Sequence, residues 1–214
     1  MDGGFHMVMK DEVWEFKRAR ILDEAVPLFA EFGFQGVSID KIAKQLKVTK
    51  PFIYTYFKNK DALLEEIFER AAENLLTGAN AAFSSEAPPE DRLKAFVEYY
   101  VIENIQRTDI TAIFLNEEKN LSEESQKRLR MRHHEFDKRL AQLIEDGIKS
   151  GVFEAEDPML ASLAISGMVR WIHRWYRPDG RLSADQIAAK MTAFALSVVS
   201  YTPKAKRKPV RKIA

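Results

Sequence analysis

The chain has 214 residues, a formal net charge of +1 at pH 7, 46% hydrophobic residues and 30% charged residues, which is the composition of a globular protein and excludes a disordered or fibrous chain. Cysteine is absent, which excludes disulfides, thiolate metal sites and thiol nucleophiles. No apolar run reaches the roughly 18 residues of a membrane span and the polar start is not a signal peptide, so we expect a cytoplasmic protein without a membrane partner.

The hydrophobic pattern of the first sixty residues predicts three helices. Apolar residues three and four positions apart indicate a helix over about 11–32, which Gly33 ends. Ser38 is a good N-cap for a short second helix. Thr49, followed by Pro51 in the first turn, begins a third helix of barely two turns.

The rest of the chain also has the spacing of helices, and no run alternates as a β-strand would. The predicted helices cover about 61–78, 90–108, 110–117, 122–149, 158–176 and 183–201. The expected fold class is therefore all-α, without an internal repeat.

Charge is distributed unevenly along the chain. The tail over 204–212 carries +6, which leaves −5 on residues 1–203. Within that acidic part, residues 38–60 hold six lysines and one acid, Asp40, a local charge of +5. A concentrated basic segment in an acidic protein is typical of a surface that binds a polyanion.

The second and third helices, with the turn between them, have the proportions of a helix-turn-helix. Such a motif inserts the N-terminal end of its second helix into the major groove of DNA. The side chains suited to base edges are Lys50, Pro51, Phe52 and Thr55, and those suited to phosphates are Tyr54, Tyr56 and Lys60. The alternative is a solvated row of lysines above an aromatic core, but the helix lengths, turn and caps together favour DNA binding.

Four segments carry a longer signature: ILDEA at 21–25, FAEFGF at 29–34, SIDKIA at 38–43 and VTKPFIYTYFKNKDAL at 48–63. Together they resemble the DNA-binding domain of the tetracycline-repressor (TetR) family. The resemblance implies a homodimeric transcription regulator that binds a near-palindromic operator in double-stranded DNA and is released by a small molecule. Repressor is the default of the family, and the residues do not decide between repressor and activator.

The resemblance also implies roles for individual positions. Phosphate contacts fall to Ser38, Thr49, Tyr54, Tyr56 and Lys60, and base readout falls to Lys50, Pro51, Phe52 and Thr55. Phe52 departs from the small or hydroxylic residue common at its position, so it either meets a thymine methyl group or joins the core.

The resemblance divides the chain into three parts. A helix-turn-helix domain is expected over 10–60 and a ligand-binding and dimerisation domain over 61–201. The basic tail over 202–214 is expected to be disordered, and it either contacts DNA phosphates or is dispensable.

The segment RWYRPDG at 174–180 resembles the C-terminal part of a TetR subgroup that responds to acyl-coenzyme A thioesters. That subgroup faces its ligand with Arg, Trp and Arg at four-residue spacing. The matching positions here are Ser166, Arg170 and Arg174, so only the last agrees.

The candidate ligand residues are arginines, aromatic side chains, methionines and one histidine of the later helices: Phe96, Tyr100, Phe114, Met131, His134, Met168, Arg170, Trp171, Arg174 and Trp175. Their arginines suit phosphates and their tryptophans suit an adenine ring. The same residue types also form hydrophobic cores and dimer interfaces. Dimerisation is expected of the helices over about 159–176 and 183–201, whose alternative role is the core of the subunit itself.

No catalytic set and no metal site is expected. The nine glycines make no nucleotide-binding pattern, and the histidines at 133, 134 and 173 lack metal-ligand spacing. We therefore expect neither an enzyme nor a cofactor. The competing function is an architectural protein that binds DNA without preference for sequence or ligand.

Overall fold

The computed structural model describes the backbone of residues 3–200 and the side chains of residues 11–200. Every regular element over 3–200 is helical, which confirms the predicted all-α class. The predicted basic tail over 202–214 lies outside the described residues.

The chain divides into two compact units. The first four helices are α1 (Gly3–Phe32), α2 (Ile39–Leu46), α3 (Lys50–Tyr56) and α4 (Lys60–Phe83). They are followed by α5 (Pro89–Gln106), α6 (Thr108–Glu117), a 3-10 helix (Glu118–Asn120), α7 (Glu123–Lys149), α8 (Pro158–Arg170), α9 (Ile172–Trp175) and α10 (Ala184–Val198). Among the described residues, unit 1 comprises 3–76 and 106–133, and unit 2 comprises 77–105 and 134–200.

Polar residues occupy the cap positions of α2, α3 and α4, and those of α2 and α3 are the predicted ones. The Ser38 hydroxyl accepts a hydrogen bond from the Lys41 N–H at 3.2 Å and begins α2. Thr49 occupies the N-cap position of α3, but its side chain makes no capping hydrogen bond. The Asn59 side chain accepts from the Ala62 N–H at 2.8 Å and begins α4. Capping hydrogen bonds between residues close in sequence therefore form at the starts of α2 and α4.

Some helix boundaries differ from the predictions. α1 begins at Gly3 instead of near residue 11, and α4 continues to Phe83 instead of ending near Gly78. A glycine inside a helix costs only about 1 kcal/mol relative to alanine. At Gly78 the missing side chain also makes room for the Tyr99 hydroxyl, which lies where a Cβ would stand.

The helix predicted over about 158–176 is two helices, α8 and α9, divided at Trp171. The N–H of Arg174 donates to the carbonyl of Trp171 at 3.1 Å, which tightens the chain into a three-residue turn at that point.

Unit 1 buries the apolar faces of its short helices in one core. Ile42 of α2 and Ile53 of α3 are fully buried, and Phe57 follows α3 into the same core. Burying one such side chain contributes about 1.5–3 kcal/mol. Because helices of two turns are not stable alone, this packing holds α2 and α3 in place.

Candidate DNA-binding and effector sites

The turn between α2 and α3 contains a lysine in a left-handed conformation. Lys47 ends α2 with φ 57° and ψ 39°, and its N–H donates to the carbonyls of Ala43 and Lys44. A residue with a Cβ pays about 1–2 kcal/mol for this conformation. Lys47 therefore keeps an exposed cation at a position where glycine would be unstrained.

One face of α3 is open to solvent along its whole length. Lys50, Pro51, Tyr54 and Thr55 are exposed, whereas Ile53 on the opposite face is fully buried. The Thr55 hydroxyl donates to the carbonyl of Pro51 at 3.2 Å. The exposed face thus combines an ammonium and two hydroxyls, which can form hydrogen bonds with base edges and phosphates, with the ring of Pro51.

Two of the predicted DNA contacts belong to an aromatic row. The Tyr56 ring lies between Phe52, at a centroid distance of 5.2 Å, and Trp14 of α1, at 4.4 Å. Phe52 and Tyr56 are half-buried against the core of unit 1, so Phe52 has a packing role whether or not it meets a base. Sequence reasoning missed Trp14, although it lies seven residues before buried Ile21 on the same helical stripe.

Lys60 has structural partners that its sequence position did not reveal. Its ammonium donates to the carbonyls of Phe34 at 2.8 Å and Val37 at 2.9 Å, and it lies 4.1 Å from the centre of the Phe34 ring. A lysine has three N–H donors, so one remains for the phosphate contact predicted at this position. Lys60 thereby joins the start of α4 to the connection between α1 and α2.

The same connection is held by a segment far away in sequence. The Phe34 N–H donates to Glu117 Oε1 at 3.2 Å, and the Asn120 side chain donates to Glu117 Oε2 at 2.6 Å. The Gln35 side chain donates to Asn120 Oδ1 at 3.3 Å. The end of α6 therefore helps to hold the connection between α1 and α2, a role that no local sequence signal indicated.

The predicted ligand residues are divided between the two units. Phe114 and Met131 lie in unit 1, where Phe114 stacks on Phe68 at 4.3 Å and Met131 is 64% exposed. The others lie in unit 2: Phe96, Tyr100, His134, Met168, Arg170, Trp171, Arg174 and Trp175.

The interior of unit 2 contains an aromatic cluster. Phe96, Tyr100 and Phe136 are buried, and Phe83 is half-buried beside them. Their ring centroids are 5.1–6.1 Å apart, the spacing of edge and offset contacts. Phe96 and Tyr100 are thus core side chains of this structure.

A polar network borders this cluster. Arg170 Nε donates to the Tyr100 hydroxyl at 2.9 Å, and Arg170 Nη2 lies 3.8 Å from the buried carboxylate of Asp137. Asp137 also accepts from the Ser166 hydroxyl at 3.0 Å. Burial raises the pKa of the Tyr100 phenol, and the neighbouring Arg170 opposes that shift. Arg170 is therefore held at the edge of the aromatic cluster by a buried hydroxyl and a buried carboxylate.

The other candidates of unit 2 lie nearer its surface. Trp171 is 58% exposed and Trp175 is 46% exposed. The guanidinium of exposed Arg174 lies 5.6 Å from the centre of the Trp171 ring. His134 is exposed and Met168 is half-buried.

α8 and α10 each have a buried face and an exposed apolar face. Ile165, Val169 and Ala195 are fully buried, so these helices contribute to the core of the subunit. The exposed apolar side chains are Leu160, Leu163, Trp171, Phe194 and Val198. Large apolar side chains exposed on two helices that pack against each other are typical of a protein–protein interface.

Within residues 3–200, no helix is long and apolar enough to cross a membrane. The described side chains also contain no group of three or more that could hold a metal ion.

Two family models match the chain. A model described as "Bacterial regulatory proteins, tetR family" matches residues 21–67, and one described as "Tetracyclin repressor-like, C-terminal domain" matches residues 86–199. The second match alone covers more than half of the chain.

Individual relatives match over most of their length. The transcriptional repressor KstR2 of Rhodococcus jostii is 26% identical over 184 residues, covering 84% of this chain and 89% of that protein. A solved TetR/AcrR-family regulator from Thermobifida fusca is 31% identical, covers 84% of this chain and 96% of its own, and has a TM-score of 0.70. AibR, solved in complex with isovaleryl coenzyme A and operator DNA, is 26% identical in sequence. The match covers 83% of this chain and 96% of the AibR chain, with a TM-score of 0.75.

These matches confirm the resemblance found in the sequence and explain why the residues offer no catalytic set. The chain belongs to the TetR family: it is a helix-turn-helix transcription repressor that binds DNA, and it is not an enzyme.

Proposed function

We propose that the protein acts in the cytoplasm as a homodimeric repressor that a small molecule releases from a near-palindromic operator. The observation that carries the DNA-binding part is the exposed face of α3, which lies opposite buried Ile53 within a segment of local charge +5. In the proposed division, residues 10–60 bind DNA and residues 61–201 bind the ligand and the second subunit.

On the operator, Lys50, Pro51, Phe52 and Thr55 read base edges, and Ser38, Thr49, Tyr54, Tyr56 and Lys60 contact phosphates. The exposure of Tyr54, at 46%, supports its role most directly. Tyr56 and Lys60 would serve both the packing of unit 1 and the DNA backbone.

Replacing Tyr54 with phenylalanine should lower affinity about tenfold for every duplex, because a hydrogen bond to a charged phosphate is lost while no base contact changes. Fluorescence anisotropy would measure binding to an operator selected from a random library and to a random duplex. Tyr176→Phe removes the same group from unit 2 and should leave both affinities unchanged. If the random duplex competes as well as the selected operator at physiological salt, the architectural alternative replaces the repressor proposal.

We further propose that the effector is an acyl-coenzyme A thioester or another hydrophobic small molecule from a degradation pathway. The aromatic cluster of unit 2 and the adjacent Arg170 support this class, since they place aromatic rings and a guanidinium next to each other. AibR, a relative of this chain, has been solved with isovaleryl coenzyme A.

Release from DNA follows from geometry. The two recognition helices of a dimer must be about 34–36 Å apart, or a multiple of that distance, to reach successive major grooves. α4 begins in unit 1 and ends in unit 2, so it is the proposed lever that changes this separation. The ligand can weaken DNA binding only by the difference between its binding free energies for the released state and for the DNA-bound state.

A thermal-shift panel of acyl-coenzyme A thioesters tests the effector class. A thioester at a hundred times its Kd should stabilise the protein by about 2.7 kcal/mol. Arg174→Ala should weaken this response without changing the melting temperature of the free protein, because the side chain is exposed. Arg181→Ala, another exposed arginine of unit 2, is the matched control. Absence of stabilisation by every thioester would remove this ligand class and leave the DNA-binding proposal intact.

A further inference from the structure

A carboxylate lies on the surface proposed to meet DNA. Asp40 is the single acid among residues 38–60, and its side chain is 63% exposed. A negative charge on such a surface opposes the approach of phosphates and lowers affinity for every duplex. An acid at this position is therefore expected to have a benefit that offsets its repulsion of phosphates.

Asp40 contacts the first residue of the recognition helix. Lys50 Nζ donates to Asp40 Oδ2 at 2.6 Å, which joins the first turn of α2 to the first turn of α3 across ten residues of sequence. The hydrogen bond and the charge of Asp40 raise the pKa of Lys50. An acid in the first turn also favours α2 through the helix dipole, but that effect does not require a lysine partner.

The pairing restricts a side chain that is otherwise flexible. A free lysine on a DNA-binding surface reaches whichever phosphate is nearest, and such a contact carries no sequence information. One N–H of Lys50 is occupied by Asp40, and two N–H donors remain. A guanine presents two acceptors, O6 and N7, on its major-groove edge.

We propose that Asp40 is a positioning residue that holds Lys50 over the base edges and away from the phosphates. This inference rests on the base-reading role proposed for Lys50. The carboxylate lowers affinity for DNA in general and, by fixing Lys50 before binding, preserves affinity for the operator. Asp40 thereby determines specificity without contacting a base.

The test compares Asp40→Ala with Asp61→Ala, which removes an exposed acid from the first turn of α4. Each variant is measured on the selected operator and on a random duplex over a range of salt concentrations. Asp61→Ala should raise both affinities by the same factor, about threefold, through charge alone. Asp40→Ala should raise the random-duplex affinity about threefold and lower operator affinity about threefold, so that their ratio falls about tenfold.

Two further readouts separate positioning from a merely structural role. In Asp40→Ala the released Lys50 neutralises a phosphate, so the slope of log affinity against log salt on the random duplex should steepen by about one more than in Asp61→Ala. At the base pair where Lys50→Ala abolishes discrimination, a base change should cost the wild type about tenfold and Asp40→Ala less than about twofold.

Equal effects of Asp40→Ala and Asp61→Ala on the two duplexes would overturn the positioning role and leave only a charge effect. A loss of specificity in Asp40→Ala accompanied by a lower melting temperature than that of Asp61→Ala, with an unchanged salt slope, would also overturn it. If the wild type selects no duplex at all, the proposed function itself fails, which is a distinct result.

Discussion

Replacing Gly147 with alanine should destabilise unit 2 by about 1–3 kcal/mol, the usual effect of forcing extra volume into a packed core. Gly147 lies in the last turns of α7, and a Cβ there would overlap the ring of Phe153. Phe153 is only 1% exposed, so its ring is enclosed and cannot move aside into solvent. The carbonyl of Gly147 also accepts the N–H groups of Val152 and Phe153 at 3.0 and 3.2 Å, which fixes the two segments relative to each other. Urea denaturation at a fixed protein concentration would measure the loss.

A double-mutant cycle provides the control for this prediction. Phe153→Leu destabilises the core on its own, but it removes the ring that the new methyl group would meet. Gly147→Ala should therefore cost at least about 1 kcal/mol less in the Phe153→Leu background than in the wild type. An equal cost in both backgrounds would show that the ring is not the cause.

Replacing Leu163 with glutamate should convert the proposed dimer into monomers and reduce operator affinity by about 10²–10⁴-fold. Leu163 is 48% exposed on the apolar face of α8, so the fold of the subunit does not depend on burying it. In a two-fold interface each subunit brings the new charge to the same surface, which doubles the cost of desolvation. A monomer binds only one half-site. In a dimer, by contrast, binding of one subunit gives the other a high effective concentration at the second half-site, and this advantage is lost.

Sedimentation velocity and anisotropy on the same sample would measure both effects of Leu163→Glu. Leu115→Glu is the matched control, because Leu115 is 50% exposed and lies on α6 in unit 1. That variant should remain dimeric. A dimeric Leu163→Glu protein would place the interface elsewhere than on this face of α8 and α10.

Much of the fold follows from interactions between residues close in sequence, which is why the helix-turn-helix could be predicted. Ser38 and Gly33 lie at helix ends as predicted, and Thr49 and Pro51 lie at the start of α3 as predicted. These predictions rest on helix caps, on a glycine in the left-handed backbone conformation and on the helical spacing of apolar residues. All three involve residues that are close in sequence.

The contacts that were missed join residues far apart in sequence. The bonds from Lys60 to the Phe34 and Val37 carbonyls span more than twenty residues, and Glu117 reaches Phe34 across 83 residues. Phe96 illustrates another limit, because an aromatic residue at helical spacing fits a core and a ligand cavity equally well before its neighbours are known. The helix-turn-helix was therefore more predictable than the interior of unit 2.

The hydrogen bond between Phe34 and Glu117 bears on how the protein can be dissected. A fragment that stops at residue 60, or even at residue 76, would carry every side chain proposed to read bases and lack the carboxylate that holds the connection before α2. Transferring unit 1 to another regulator therefore requires two segments of chain, the N-terminal helices and the stretch over 106–133. The unit proposed to bind the operator is discontinuous in sequence, so swaps or truncations planned on a single cut point would divide it.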